Sequence, residues 1–186
     1  MVRTAAPPTA TAKPKQSRPR RSLIADVILV GLVSGPVAAP FLAATDWPIL
    51  PQIAHIIYFM GDHVCPQPEM ALALMSPYLM AVCMRCFGTL MGLVVTRYLF
   101  SVNQGDAPYW LNRYGWLGLL LTLGLCLVYP FELYAQYWGW WEYNNGVVTL
   151  FGLVSGLGLG AYIMPLLHQS TRTSGNNPVW TRLPLP

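Results

Sequence analysis

Three cysteines and one histidine are the residues of this sequence best suited to chemistry. His63 and Cys65 form a His-x-Cys motif, and Cys83 and Cys86 form a Cys-x-x-Cys motif. Residues three apart on a helix lie on one face, so the sulfurs of Cys83 and Cys86 are expected to be neighbours. A Cys3His set has the ligand number and softness that suit zinc, although Cu(I) also prefers thiolates. The spacing therefore predicts a metal site at His63, Cys65, Cys83 and Cys86.

The same cysteines support two other interpretations. An extracytoplasmic setting is oxidising and favours disulfides. Cys83 and Cys86 would then be redox residues, with Cys65 and Cys126 as the only further thiols for a relay. Cysteines in a membrane helix also serve as small apolar packing residues. A metal, a disulfide and simple packing all stay open at this point.

The composition indicates that these residues belong to a membrane protein. The 186 residues are 54% hydrophobic and only 10% charged, with a mean hydropathy of +0.43, whereas soluble domains carry roughly 25% charged residues. Four stretches have the roughly 20 apolar residues that a membrane helix needs, at about 23–43, 76–100, 114–134 and 146–168. The stretch at about 51–61 is shorter and amphipathic, which predicts an interfacial or re-entrant helix. The expected fold is all-α and polytopic, and the protein is expected to contact the lipid bilayer.

The basic residues predict how this domain lies in the membrane. Residues 1–22 carry six bases and no acid and are expected to form a disordered tail, followed by a transmembrane domain at 23–168 and a second tail at 169–186. Ten of the eleven bases fall on one side of the four spans, and Lys and Arg are enriched in cytoplasmic loops. Both termini are therefore expected in the cytoplasm, with the Cys/His site on the outer or lumenal side of a plasma membrane, or of a thylakoid in a photosynthetic host. Because the basic charge belongs to the tail, no nucleic-acid partner is predicted.

Two charged residues fall inside the spans near the cysteines. Arg85 lies within the Cys-x-x-Cys motif, and Glu132 lies in the third span. An ionised group within a membrane normally has a partner. Arg85 is expected either to balance the thiolates or to pair with Glu132.

Glycines at four-residue spacing predict close helix contacts. Such small-residue motifs let two membrane helices approach closely, within one chain or in a homodimer. They occur in the second and fourth spans, which are therefore expected to touch, at Gly88, Gly92, Gly152, Gly156 and Gly160.

The polar motifs together resemble an integral-membrane family known as domain of unknown function 2085. The shared pattern is Cys65-x-Gln67, a Cys-x-Arg-Cys-x-Gly run, an acid with a following Gln, and an Asn-Asn pair followed by Thr and Gly. Two residues depart from it, since Pro66 stands where the family has His, and Glu132 stands for its Asp. The resemblance groups the following residues without implying a reaction: Gln67, Arg85, Gly88, Glu132, Gln136, Asn144, Asn145, Thr149 and Gly152.

Three functions fit these features. The leading interpretation is an accessory or assembly subunit of a larger membrane complex, whose outer loop is held by a metal or a disulfide. The alternatives are a membrane thiol-disulfide oxidoreductase that uses Cys83 and Cys86, and a small transporter. No catalytic residue is assigned, because the sequence shows no complete redox relay and no general acid-base pair.

Overall fold

The computed structural model describes residues 20–103 and 110–168. These ranges contain five α-helices: α1 (Arg20–Ala43), α2 (Leu50–Val64), α3 (Met84–Asn103), α4 (Trp116–Tyr137) and α5 (Asn145–His168). All except α2 are long and apolar enough to cross a membrane. The predicted all-α polytopic fold is confirmed. The predicted tails at 1–22 and 169–186 lie outside the described residues, except that α1 already begins at Arg20.

The second membrane helix begins later than the sequence suggested. Helix α3 starts at Met84 instead of near residue 76, and the residues before it form an antiparallel hairpin of β1 (Ala73–Met75) and β2 (Tyr78–Leu79). Pro77 accounts for the difference, because proline has no backbone N–H and disfavours helical geometry in the residue before it. The apolar residues 80–82 are buried in the protein and do not extend the span.

Helix α2 is too short to cross a bilayer. Its 15 residues extend about 22 Å at roughly 1.5 Å per residue, against a hydrocarbon core of about 30 Å. Ala54 and Gly61 are buried, whereas Ile53, Ile56 and Phe59 are exposed. The helix packs against α1, as a short helix with its large apolar side chains turned away from the protein.

A proline in α1 helps to position the segment that leads to Cys83. Because Pro40 has no N–H, it cannot donate the helical hydrogen bond to the carbonyl of Pro36. That carbonyl instead accepts a 3.3 Å hydrogen bond from the N–H of Ala81. The Ala81 carbonyl in turn lies so close to Gly61 of α2 that a Cβ there would clash with it. The stretch before α3 is thus held between α1 and α2.

Helices α3 and α5 form the tightest pair in the bundle. The glycines of the two predicted motifs, Gly88 and Gly92 on α3 and Gly152 and Gly156 on α5, each lie against the backbone of the other helix. A Cβ on Gly92 would come within 2.6 Å of the Leu153 carbonyl oxygen. Gly160 is covered by the side chain of Thr96. This close contact within one chain fixes α3, which carries Cys86 and Arg85.

Candidate functional site

Cys65, Cys83 and Cys86 form a cluster where the end of α2 lies next to the start of α3. Cys65 directly follows α2, where its N–H donates a 2.8 Å hydrogen bond to the Gly61 carbonyl. Cys83 directly precedes α3 and accepts a 3.1 Å hydrogen bond from the N–H of Phe87 at its carbonyl. Cys86 lies in the first turn of α3. The end of α2 therefore meets the start of α3 at three sulfur atoms.

The sulfur atoms are spaced as metal ligands are. Sγ of Cys86 lies 3.7 Å from Sγ of Cys83 and 3.7 Å from Sγ of Cys65, and all three lie within 4.8 Å of one another. Thiolates bound to zinc at about 2.3 Å in tetrahedral geometry would be separated by about 3.8 Å. Cys65 and Cys83 are buried, and Cys86 is partly buried. The cluster could therefore hold a metal ion.

Hydrogen bonds within the cluster favour a single thiolate at Cys65. The thiol of Cys86 donates to the sulfur of Cys65, which also accepts a 3.2 Å hydrogen bond from the N–H of Cys83 and has the Cys83 thiol close by. These donors hold the pKa of Cys65 well below its usual range. Donation to Cys65 raises the pKa of Cys83, since loss of its proton would remove that hydrogen bond.

His63, the fourth predicted metal ligand, is not part of this group, and neither is Cys126, the further thiol considered for a redox relay. The ring of His63 is exposed, and its Nδ1 donates to the Phe59 carbonyl of its own helix at 2.7 Å. Among the described residues all four cysteines are free thiols. The structure thus assembles a three-sulfur site and not the Cys3His set.

Arg85 is the centre of a buried polar network beside the cysteines. Its Nε donates to Oε2 of Glu132 in a salt bridge in which both side chains are fully buried. Its Nη1 donates to Oε1 of Gln67 at 3.0 Å, and its Nη2 donates to Oε1 of Gln136 at 2.7 Å. Of the two partners considered for Arg85, Glu132 is the one in contact. Gln67 and Gln136, which only the family pattern had singled out, therefore share one network with Arg85 and Glu132. This network links the segment after Cys65 to α3 and α4.

Tyr129 is a member of this site that the sequence motifs did not identify. Its hydroxyl lies 3.2 Å from Sγ of Cys86, and its ring lies 5.7 Å from the guanidinium carbon of Arg85. Tyr129 precedes Glu132 by three residues on α4, and that helical spacing could have indicated it. It connects the sulfur cluster with the Arg85 network.

The remaining residues of the family pattern organise the start of α5. Oδ1 of Asn144 accepts hydrogen bonds from the N–H groups of Gly146 at 2.9 Å and Val147 at 3.4 Å, as a helix cap does. The Thr149 hydroxyl donates to the Asn145 carbonyl at 2.5 Å, and the Thr149 carbonyl lies against Gly88. These residues therefore support the helix that packs on α3.

A second charged cluster lies at the far end of the same helices. Arg97 donates to both carboxylate oxygens of Asp26, at 2.5 and 2.8 Å, and Nε2 of His168 lies 3.0 Å from the same carboxylate. Arg97 follows Cys86 by 11 residues, or about 16 Å along α3. This cluster joins α1, α3 and α5 and is separate from the cysteines.

Comparison with known proteins agrees with the motif pattern. A model of the family described as predicted membrane protein, domain of unknown function 2085, matches residues 65–162, just over half of the chain. The matched range begins at Cys65 and includes the whole cysteine cluster and the Arg85 network. The resemblance expected from the sequence is confirmed. No curated protein and no solved structure matches the chain.

Proposed function

This chain belongs to the domain of unknown function 2085 family of predicted membrane proteins, and we propose that it is an accessory subunit that binds one zinc ion. Cys65, Cys83 and Cys86 supply the protein ligands. The ion fixes the segment between Cys65 and Cys83 to the start of α3. That segment then presents a rigid surface for docking to a larger membrane complex.

The observation that carries this proposal is the convergence of three sulfurs from three sequence positions. Sγ of Cys86 lies 3.7 Å from each of the other two sulfurs, close to the edge of about 3.8 Å expected for tetrahedral zinc thiolates, and all three sulfurs lie within 4.8 Å of one another. A cysteine used only for packing needs no sulfur neighbours. Arg85 lies beside the cluster and donates one hydrogen bond each to Glu132, Gln67 and Gln136. The network therefore positions the ligands and leaves the sulfurs free to bind the ion.

Three protein ligands leave one position of a tetrahedral zinc ion for another group. Water occupies that position in many zinc sites that have three protein ligands. A side chain from a partner subunit could replace the water and would couple docking to the metal. The Tyr129 hydroxyl, 3.2 Å from Sγ of Cys86, is positioned to donate a hydrogen bond to a thiolate ligand, a contact that typically tunes a metal site.

The proposed location is the extracytoplasmic or lumenal face. Arg97 and Arg113 lie toward the end of the bundle opposite the cysteines, and so does the start of α1, where Asp26 pairs with Arg97. Lys and Arg concentrate on the cytoplasmic side of membrane proteins. Cysteine labelling with a membrane-impermeant reagent in intact cells or spheroplasts, on a variant with one new cysteine in the 44–49 loop, tests this orientation.

The metal content of the purified protein tests the proposed function. The full chain in mild detergent should contain about one zinc per chain by elemental mass spectrometry, and Cys65→Ser, Cys83→Ser and Cys86→Ser should each lose it. Cys126→Ser is the matched control, since Cys126 lies outside the cluster, and should retain the metal. A metal content unaffected by the three cluster substitutions would contradict the proposal.

A second candidate is the thiol-disulfide oxidoreductase. It is favoured by the 3.7 Å approach of the Cys83 and Cys86 sulfurs at the start of a helix, which places the two thiols side by side for a disulfide. Alkylation followed by mass spectrometry on the same sample distinguishes the two. Metal-free protein with a reversible Cys83–Cys86 disulfide would support the enzyme, whereas metal-bound thiolates would support the accessory subunit.

Docking to a larger complex requires its own experiment. A tagged chain expressed at its native level should migrate with other membrane proteins on a native gel in mild detergent. Cys86→Ser should migrate as the free subunit, and Cys126→Ser should behave as the unaltered chain. If the unaltered chain, Cys86→Ser and Cys126→Ser all migrate as the free subunit, the accessory role is contradicted. That result would not contradict the metal site.

A further inference from the structure

An open cavity of about 730 Å³ lies beside the Arg85 network. This volume falls in the range of roughly 300–1,000 Å³ that small-molecule sites occupy. Four aromatic side chains line it, together with two carboxamides and several apolar residues. The aromatic and carboxamide residues are Tyr134, Tyr137, Trp141, Tyr143, Gln67 and Gln136.

The orientation of the two carboxamides is fixed by Arg85. A guanidinium carries only donors, so Gln67 and Gln136 must turn their oxygens toward it, as both do. The amide nitrogens are then the donors that remain. Nε2 of Gln136 is buried and has no hydrogen-bond acceptor within the described part of the chain. Gln136, which lines the cavity, therefore carries an N–H donor that has no acceptor among the described residues.

These features select one class of ligand. The aromatic walls favour a flat ring, which stacks on such side chains. The unpartnered N–H donor of Gln136 favours a ring that carries an acceptor oxygen, and the carboxylate of Glu142 at the cavity disfavours an anion. The cavity lies at the end of membrane helix α4, next to Leu133 and Pro130, where a lipid-soluble molecule can enter. We propose that this cavity binds the head group of a quinone, with one carbonyl oxygen accepting from Gln136.

The quinone site and the metal site share no residue. No cysteine lines the cavity, although Pro66 and Gln67 follow Cys65 directly in the chain. Loss of the metal in a cysteine variant and loss of the ligand in a cavity variant are therefore separate results.

Ligand-induced thermal stabilisation of the full chain in detergent tests the proposal. The probe is decylbenzoquinone, and the comparison molecule is decylbenzene, which has the same chain and no carbonyl oxygen. At about 100 times the Kd, the quinone should raise the Tm by roughly 5–10 °C. Decylbenzene should produce no saturable shift.

Two tryptophan substitutions on α4 locate the binding. Leu133→Trp fills the cavity and should weaken quinone binding at least tenfold, whereas Leu127→Trp adds the same side chain at an exposed position outside the cavity and should leave it unchanged. Leu133→Trp should retain the zinc ion, so a loss of the quinone shift in this variant is separate from a loss of the metal. An equal shift with decylbenzene, no shift with the quinone, or an undiminished shift in Leu133→Trp would each overturn the proposal. The decylbenzene comparison decides the question even if Leu133→Trp does not fold.

Discussion

Replacement of Arg85 by Met should destabilise this protein more than any other single charge removal in the described residues. The guanidinium is fully buried and donates to Glu132, Gln67 and Gln136 at once. Its loss leaves the buried Glu132 carboxylate without a counterion, and Oε1 of that carboxylate already has no hydrogen-bond partner in the described residues. The two glutamine oxygens lose their donors as well.

The expected magnitude follows from the burial of both partners. Removing one member of a buried ion pair costs about 3–5 kcal/mol, which lowers the ratio of folded to unfolded protein by roughly a hundred- to several-thousand-fold. Replacing both charges by apolar residues avoids the unpaired charge. The double variant Arg85→Met with Glu132→Leu should therefore recover most of the lost stability.

Unfolding in mixed detergent–SDS micelles, followed by tryptophan fluorescence, measures this free energy. Arg97→Met is the matched control, because its ion pair with Asp26 is partly exposed, at 17% and 29% of the two side chains, and should cost less. Equal losses in Arg85→Met and Arg97→Met would refute the reasoning. A double variant no more stable than Arg85→Met would refute it too.

Three further substitutions test the packing around the site. Gly152→Leu should destabilise the protein by about 3 kcal/mol or prevent folding, because its side chain would clash with the backbone of α3. Gly31→Leu is the control, since no atom lies near Gly31, and it should leave the stability unchanged in the same SDS titration. Tyr58→Phe removes the 2.7 Å hydrogen bond to the Leu79 carbonyl and should cost about 1 kcal/mol at neutral pH. Burial raises the pKa of Tyr58, so the stability that its hydroxyl contributes is complete below the unfolded-state pKa of about 10 and is lost as the pH rises through the folded-state pKa. Tyr58→Phe should lack this loss of stability at alkaline pH. A pH profile of stability that is the same in Tyr58→Phe and the unaltered chain would contradict this role of Tyr58. Pro40→Ala supplies an N–H that competes with Ala81 for the Pro36 carbonyl and so loosens the stretch before α3. Cys83 should therefore react about tenfold faster with a maleimide in metal-free protein. An unchanged labelling rate would show that the Ala81–Pro36 hydrogen bond does not hold this stretch in place.

The sequence predicted the architecture because hydrophobic length and charge placement are local properties. Four apolar stretches required four membrane helices, and the scarcity of charge drew attention to Arg85 and Glu132 as partners. The start of α3 was misplaced because residues 76–83 are apolar enough to extend a span, and only Pro77 indicated otherwise. Apolar composition alone does not distinguish a lipid-facing helix from a segment buried in the protein.

The members of the site were harder to predict than the helices. His63 is two residues from Cys65, but α2 still includes residue 63, whereas Cys65 has extended backbone, so the two side chains diverge. Tyr129 was missed because tyrosine is ordinary in a membrane helix, and only the folded structure brings its hydroxyl to Cys86. Gln67 and Gln136 carried no individual signal, and the family pattern grouped them before the structure showed their common contact with Arg85.

The most direct test of the central claim is X-ray absorption at the zinc edge on the purified, zinc-loaded full chain. The proposed site predicts three sulfur ligands at about 2.3 Å and one lighter ligand, with Cys126→Ser giving the same spectrum and Cys86→Ser losing it. A first shell of only nitrogen and oxygen, or a spectrum that Cys86→Ser leaves unchanged, would contradict the three-cysteine metal site.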